Sequence, residues 1–137
     1  MENEKYTVLI VDDEPSVLAY LGVLLKPLGV QVLTSASGYS ALGLLENQVK
    51  GTGVLTVDLV ITDWRMKGWD GIRLLTEIRA RPYGKIPIIL MSGAVTKEQL
   101  EIAAKNKADG ILLKPIVEAD LCAKISAFMA SKAKSKV

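Results

Sequence analysis

The chain contains no histidine among its 137 residues. That absence removes His-ligated metal centres, His general bases and Ser-His-Asp triads together. Cysteine occurs once, at Cys122, so no disulfide can form within the chain. Its apolar-periodic surroundings read as a small buried hydrophobe, and a lone thiol suits a reducing cytoplasm. No apolar run reaches the roughly 18 residues that suggest a membrane span, so no membrane association is expected. An excess charge of one sign is also missing: the formal net charge is +2. Nucleic-acid readers usually carry a stronger basic stripe, so direct nucleic-acid binding is not expected. The small basic excess sits mostly in Lys132, Lys134 and Lys136, which reads as a solvated, fraying terminus. Residues 1–5 (MENEK) are polar and acidic, unlike a signal peptide.

What is present is a globular composition. Half of the residues are apolar and 23% are charged, enough to bury a core. There are no internal repeats and no linker, so one domain over residues 1–137 is expected. Its core would run over about residues 6–130, with a basic tail at 131–137.

Short apolar runs alternate with longer amphipathic ones. Residues 6–11 (YTVLIV), 30–34 (VQVLT), 57–62 (VDLVIT), 86–91 (IPIILM) and 110–113 (GILL) have strand length and composition. Between and after them, residues 14–28, 37–49, 70–80, 96–107 and 117–130 repeat apolar positions at helical spacing. Ser37 and Thr96 are placed as N-caps, and Pro15 suits a first helical turn. Leu100, Ala103 and Ala104 are expected to face inward. Alternating strands and helices predict an α/β fold with a parallel sheet covered on both faces. Right-handed crossovers make it a single doubly wound sheet. For five strands and five helices, the flavodoxin-like strand order 2-1-3-4-5 is the expected arrangement.

In such a sheet, ligands bind beyond the carboxyl ends of the strands. The residues there are Asp12, Asp13 and Glu14, then Asp63, then Ser92 and Gly93, then Lys114 and Pro115. Each alone has a plain structural reading. The acidic triplet suits a helix start, Asp63 and Ser92-Gly93 suit turns, and Lys114 suits a solvated position before a rigid turn. Together they offer more. Grouped carboxylates repel one another and raise each other's pKa, and a Mg²⁺ ion with its preference for oxygen ligands offsets that cost. One carboxylate can act as nucleophile toward phosphorus, with a lysine and a hydroxyl pairing the phosphoryl oxygens. The joint pattern therefore suggests Mg²⁺-dependent phosphoryl transfer.

Four segments, VLIVDDEP (8–15), DLVITDWRMKGWDG (58–71), IPIILMSG (86–93) and ADGILLKP (108–115), resemble the receiver domain of two-component response regulators. The likeness is to the chemotaxis-regulator type and covers about residues 6–130. It implies that Asp63 is the phosphoacceptor. It implies that Asp12, Asp13 and Asp63 hold Mg²⁺ together with the backbone carbonyl of Arg65. Ser92 becomes the switch hydroxyl, Lys114 the phosphate-pairing lysine, and Lys114–Pro115 a cis peptide. The implied partners are a histidine kinase or a His phosphotransfer protein, and a downstream protein target or a second copy of the chain. The implied place of action is the cytoplasm. Self-phosphorylation from small donors and self-dephosphorylation are also implied, so the enzyme label stays open.

Two positions depart from the family pattern. Lys67 stands where proline is frequent, and Ile111 stands where an aromatic is frequent. Ile111 has no hydroxyl to exchange between solvent and interior, which puts the family's usual rotamer signal in question. Arg65 lies near the path of a hydrolytic water and is expected to affect the dephosphorylation rate. Trp64 and Trp69 read as structural residues beside the acidic pocket. Three other functions compete. A Mg²⁺-dependent aspartyl phosphatase typically carries a second Asp two residues after its nucleophile, where this chain has Arg65. An unphosphorylated pseudo-receiver would lack pocket residues that are all present here. A nucleotide or flavin binder would need a Gly-rich phosphate loop in place of Asp12-Asp13-Glu14.

Overall fold

The computed structural model describes residues 5–135. Five strands form one parallel sheet in the order β2-β1-β3-β4-β5. They are β1 (Thr7–Val11), β2 (Gln31–Ser35), β3 (Leu59–Asp63), β4 (Ile88–Ser92) and β5 (Gly110–Leu113). The helices are α1 (Pro15–Leu25), α2 (Gly38–Thr52), α3 (Gly71–Arg79), α4 (Lys97–Lys105) and α5 (Glu118–Ser135). A short 3₁₀ turn, Lys26–Leu28, ends α1 around Pro27, and Gly29 closes it at φ 69°. The expected α/β class, strand order and five-helix count all hold.

The sheet separates two apolar layers. Val8, Ile10, Leu59, Ile61 and Ile89 point to one face and meet Leu21 and Leu25 of α1 and Leu121 and Ile125 of α5. Leu9, Val11, Val60, Ile88 and Leu90 point to the other and meet α2, α3 and Ala103 of α4. Alternation along each strand sends neighbours to opposite layers, so the central strands β1, β3 and β4 are buried on both faces and mostly apolar, while the edge strand β2 exposes Gln31 and Thr34.

Strand ends depart from expectation where the backbone chemistry intervenes. Pro87 has no N–H to give a ladder, so β4 begins at Ile88, while the Pro87 carbonyl still accepts from Val60 N at 3.0 Å. Both β3 and β4 begin two residues later than expected and, at their carboxyl ends, run one residue further. Asp63 and Ser92 are ladder residues, with Asp63 opposite Met91 and Ser92 opposite Leu113. Their Cα positions are consequently set by the sheet.

Two helices differ from the sequence reading. In α4 only Ala103 is buried, and Leu100, expected inside, is 50% exposed. The helix covers the β4–β5 end of the sheet, where a single stripe suffices. Helix α5 continues to Ser135, past the expected start of the tail. Within it Lys132 pairs with Asp58 and lies over the Tyr6 ring, 5.7 Å from its centroid. Lys132 is thus a packed residue. The Lys134 side chain and Lys136 lie outside the described residues. Cys122 is half-buried, with its thiol donating weakly to the Leu24 carbonyl at 3.8 Å.

Candidate functional site

The carboxyl edge of the sheet gathers the acidic residues. Asp12 follows β1 and is fully buried, and its N–H donates to Ser35 O at 3.1 Å. Its Oδ1 accepts from Glu14 N at 2.9 Å, which turns the chain into α1. Asp63 ends β3 and is 7% exposed. One carboxylate oxygen from each of Asp12, Asp13 and Asp63 lies within 4.8 Å of the other two. Lys114 reaches in from the end of β5. Its Nζ lies 3.2 Å from Asp12 Oδ2 and 3.1 Å from Asp63 Oδ2.

The electrostatics follow from that geometry. Burial pushes the Asp63 carboxyl up from its ordinary range, the Asp12 charge adds to the rise, and the Lys114 ammonium only partly opposes both. Burial acts to lower the Lys114 pKa, but its hydrogen bonds to Asp63 and Asp12 outweigh that and hold it above the usual value. The lysine is therefore a fixed cation. Three carboxylates and one ammonium leave a local excess of two negative charges when all are ionised. A divalent, oxygen-seeking cation matches both the charge and the donor type. Mg²⁺ fits this donor set, which Asp12, Asp13 and Asp63 would supply.

The loop after β3 supports the site through its backbone. Lys67, in the position where proline is frequent in the resembling family, donates its N–H to Asp13 Oδ2 at 3.0 Å. Proline could not make that bond. The departure therefore ties the loop to the pocket. Gly68 turns the loop at φ 74°, and Asp70 caps α3 by accepting from Arg73 N at 2.8 Å. Gly71 sits directly under the carboxyl end of β3. A Cβ there would come within 2.5 Å of Asp63 O and 3.0 Å of Trp64 Cα. Trp64 is half-buried against the α3 layer, and Trp69 stacks edge-on with Tyr39 under the Arg73 guanidinium. Both tryptophans pack, as expected.

Ser92 is at the rim but its hydroxyl does not turn to Asp63. Its single proton serves Ala94 O at 2.7 Å or Gln99 Oε1 at 3.0 Å, and its oxygen accepts from Ala94 N at 3.2 Å. Lys114 N donates to Ser92 O at 2.7 Å, and the Lys114–Pro115 peptide is cis. Ile111 packs in the layer beneath α4. Asp12, Asp13, Asp63, Lys114 and Ser92 thus share one edge. Gln99, Gly71 and the Lys67 N–H belong to the same neighbourhood and were not singled out from sequence. An open groove of about 830 Å³ beside α2 contains none of these carboxylates.

The arrangement defines a class: an acidic pocket with an opposed lysine at the carboxyl edge of a doubly wound sheet. The profile of the response regulator receiver domain matches residues 8–126, and the chain belongs to that family. It is 34% identical over 125 residues to the chemotaxis protein CheY-3 of Vibrio cholerae, covering 90% of this chain and 91% of that protein. It is 32% identical over 116 residues to the transcriptional regulatory protein GlrR of Escherichia coli, covering 85% of this chain but 24% of that longer protein. Among solved structures, a response regulator receiver domain protein from Clostridium thermocellum superposes with a TM-score of 0.81 at 27% identity, covering 93% of this chain and 97% of that one. Among the described residues, no helix is long and apolar enough to cross a membrane.

Proposed function

We propose that this chain is a phosphoacceptor module of a two-component phosphorelay, with Asp63 as the residue phosphorylated. The observation that carries the reading is the Lys114 ammonium held between Asp12 and Asp63 within a three-carboxylate pocket. A carboxylate oxygen of Asp63 attacks phosphorus and forms the new O–P bond of an acyl phosphate. The donor's bond to phosphorus breaks, and its electron pair leaves with the donor. Burial raises the basicity of Asp63, which favours that attack. Lys114 is already within hydrogen-bonding range of the nucleophile and pairs a phosphoryl oxygen after transfer. The Ser92 hydroxyl takes a second oxygen once it rotates toward Asp63. Asp12, Asp13 and Asp63, with the Arg65 carbonyl, would hold Mg²⁺, which when bound would supply charge neutralisation.

The donor is a phosphohistidine on a histidine kinase or a His phosphotransfer protein, in keeping with the receiver family to which the chain belongs. Output passes through a downstream protein or a second copy of the chain, in the cytoplasm. The functional unit is one receiver domain with its core over about residues 6–130.

Incubation with acetyl phosphate and Mg²⁺, followed by mass spectrometry, tests the assignment. A single phosphoryl adduct, absent in Asp63→Ala and absent when Mg²⁺ is chelated, is the expected result. Undiminished labelling of Asp63→Ala overturns it.

A further inference from the structure

The Ser92 hydroxyl is committed elsewhere in this structure, and one of its partners is on a different element. Gln99 belongs to the first turn of α4, and its side-chain oxygen lies 3.0 Å from Ser92 Oγ. The contact survives an exchange of the amide oxygen and nitrogen, because a hydroxyl both donates and accepts. Ser92 is 4% exposed, so water competes weakly for this bond.

The position of Gln99 is unusual for what it does. Thr96 is the N-cap of α4, and its side chain accepts from Gln99 N at 3.1 Å. Thr96 and Gln99 have the Thr-x-x-Gln spacing of a capping box, in which the glutamine side chain normally reaches back to the N-cap N–H. Here the amide reaches across the loop to Ser92 instead. It therefore has two competing uses, one toward the phosphorylation site and one toward its own helix. Ile111 has no polar group with which to follow Ser92.

We propose that Gln99 is a positioning residue for Ser92: with the Ala94 backbone it holds the hydroxyl away from Asp63 at rest, and it hands the movement of that hydroxyl to the first turn of α4. The proposal rests on the reading of Asp63 as phosphoacceptor. When the phosphoryl group draws the hydroxyl inward, the Ser92–Gln99 bond breaks. The freed amide then closes the capping box on Thr96. The event at Asp63 is thereby registered as a change at the start of α4, without an aromatic intermediary.

The bond that breaks is buried, whereas the capping bond that replaces it lies at an exposed helix end and is worth less, so removing Gln99 still strengthens the phosphoryl state. A net hydrogen bond corresponds to about a twofold to tenfold effect. Beryllofluoride with Mg²⁺, a stable phosphoryl mimic, is titrated by calorimetry into the full chain. The variants are Gln99→Leu, Gln99→Asn, Ser92→Ala and the double variant Gln99→Leu/Ser92→Ala. Gln99→Leu and Gln99→Asn, the latter too short to reach, are expected to bind the mimic about twofold to tenfold more tightly than the parent. Gln99→Leu is expected to change nothing in the Ser92→Ala background. The Thr96 amide of the parent is expected to exchange hydrogen more slowly once the mimic is bound. Unchanged or weakened binding in both Gln99 variants, or an equal gain with and without Ser92, overturns the proposal. Absence of mimic binding by the parent defeats the Asp63 reading first, and this proposal with it.

Discussion

Lys114 is the residue on which the pocket balances. Without it, Asp12 and Asp63 face each other with no cation, although Asp12 is fully buried. A charge-assisted hydrogen bond contributes about 1.5–3 kcal/mol, or roughly 10- to 150-fold in affinity. Lys114→Ala is therefore expected to weaken beryllofluoride binding by at least about tenfold. Calorimetry on a variant shown to be folded measures this, and an unchanged affinity would remove Lys114 from the site. Arg65→Ala is expected to change the phosphoryl lifetime, measured by the decay of labelled protein, while leaving the pocket distances intact. The carboxylates and the lysine were legible in the sequence because each ends a strand, and parallel strands bring their carboxyl ends to one edge. The orientation of Ser92 was not. Its partner Gln99 is seven residues away across a loop, and nothing in the residue types says which way a hydroxyl turns. The Lys67 contact was invisible for a different reason: the donor is a backbone N–H, which every non-proline residue carries.

At the scale of elements, close approach decides which glycines matter. Gly71 opens α3 against the backbone of Asp63, and a methyl group there would sit 2.5 Å from a carbonyl oxygen that the sheet holds in place. Gly71→Ala is expected to cost about 1–3 kcal/mol by overpacking. It is also expected to lower the phosphorylation rate, because the displaced atoms carry the nucleophile. Gly43, in the interior of α2, has nothing within 4 Å of such a methyl. Gly43→Ala is expected to stabilise by about 0.5–1 kcal/mol without changing phosphorylation. Urea melts of the two variants give opposite signs if this reasoning holds. Helix α4 was legible in its cap and length but not in its burial. Periodicity reports which residues share a stripe, whereas the width of the covered stripe depends on where the helix lies over the sheet. Leu100 is exposed because β5 is the last strand and the support beneath α4 ends there.

At the scale of the whole molecule, the end of the sheet opposite the acidic edge carries two tyrosines with displaced titrations. Burial pushes the Tyr6 phenol up to about 12, with the Asp58 charge adding to the effect. Burial likewise pushes Tyr83 up to about 12, helped by its hydrogen bond to Glu46 at 2.9 Å. In the unfolded chain both phenols ionise near 10. Between pH 10 and 12 the unfolded state therefore releases protons that the folded state retains, and stability falls as pH rises. Below pH 10 both states are protonated, and these two groups produce no slope. Each fully retained proton gives at most about 1.4 kcal/mol per pH unit, and Tyr83 gives less because water reaches it. Tyr6, 9% exposed and packed in the α1–α5 layer, is the cleaner probe. Tyr6→Phe keeps the ring and removes the titration. Its unfolding free energy, followed by urea melts from pH 9 to 11.5, is expected to fall less steeply above pH 10 than that of the parent. Parallel curves would show that the Tyr6 phenol ionises as readily folded as unfolded, and would place the alkaline loss elsewhere in the molecule.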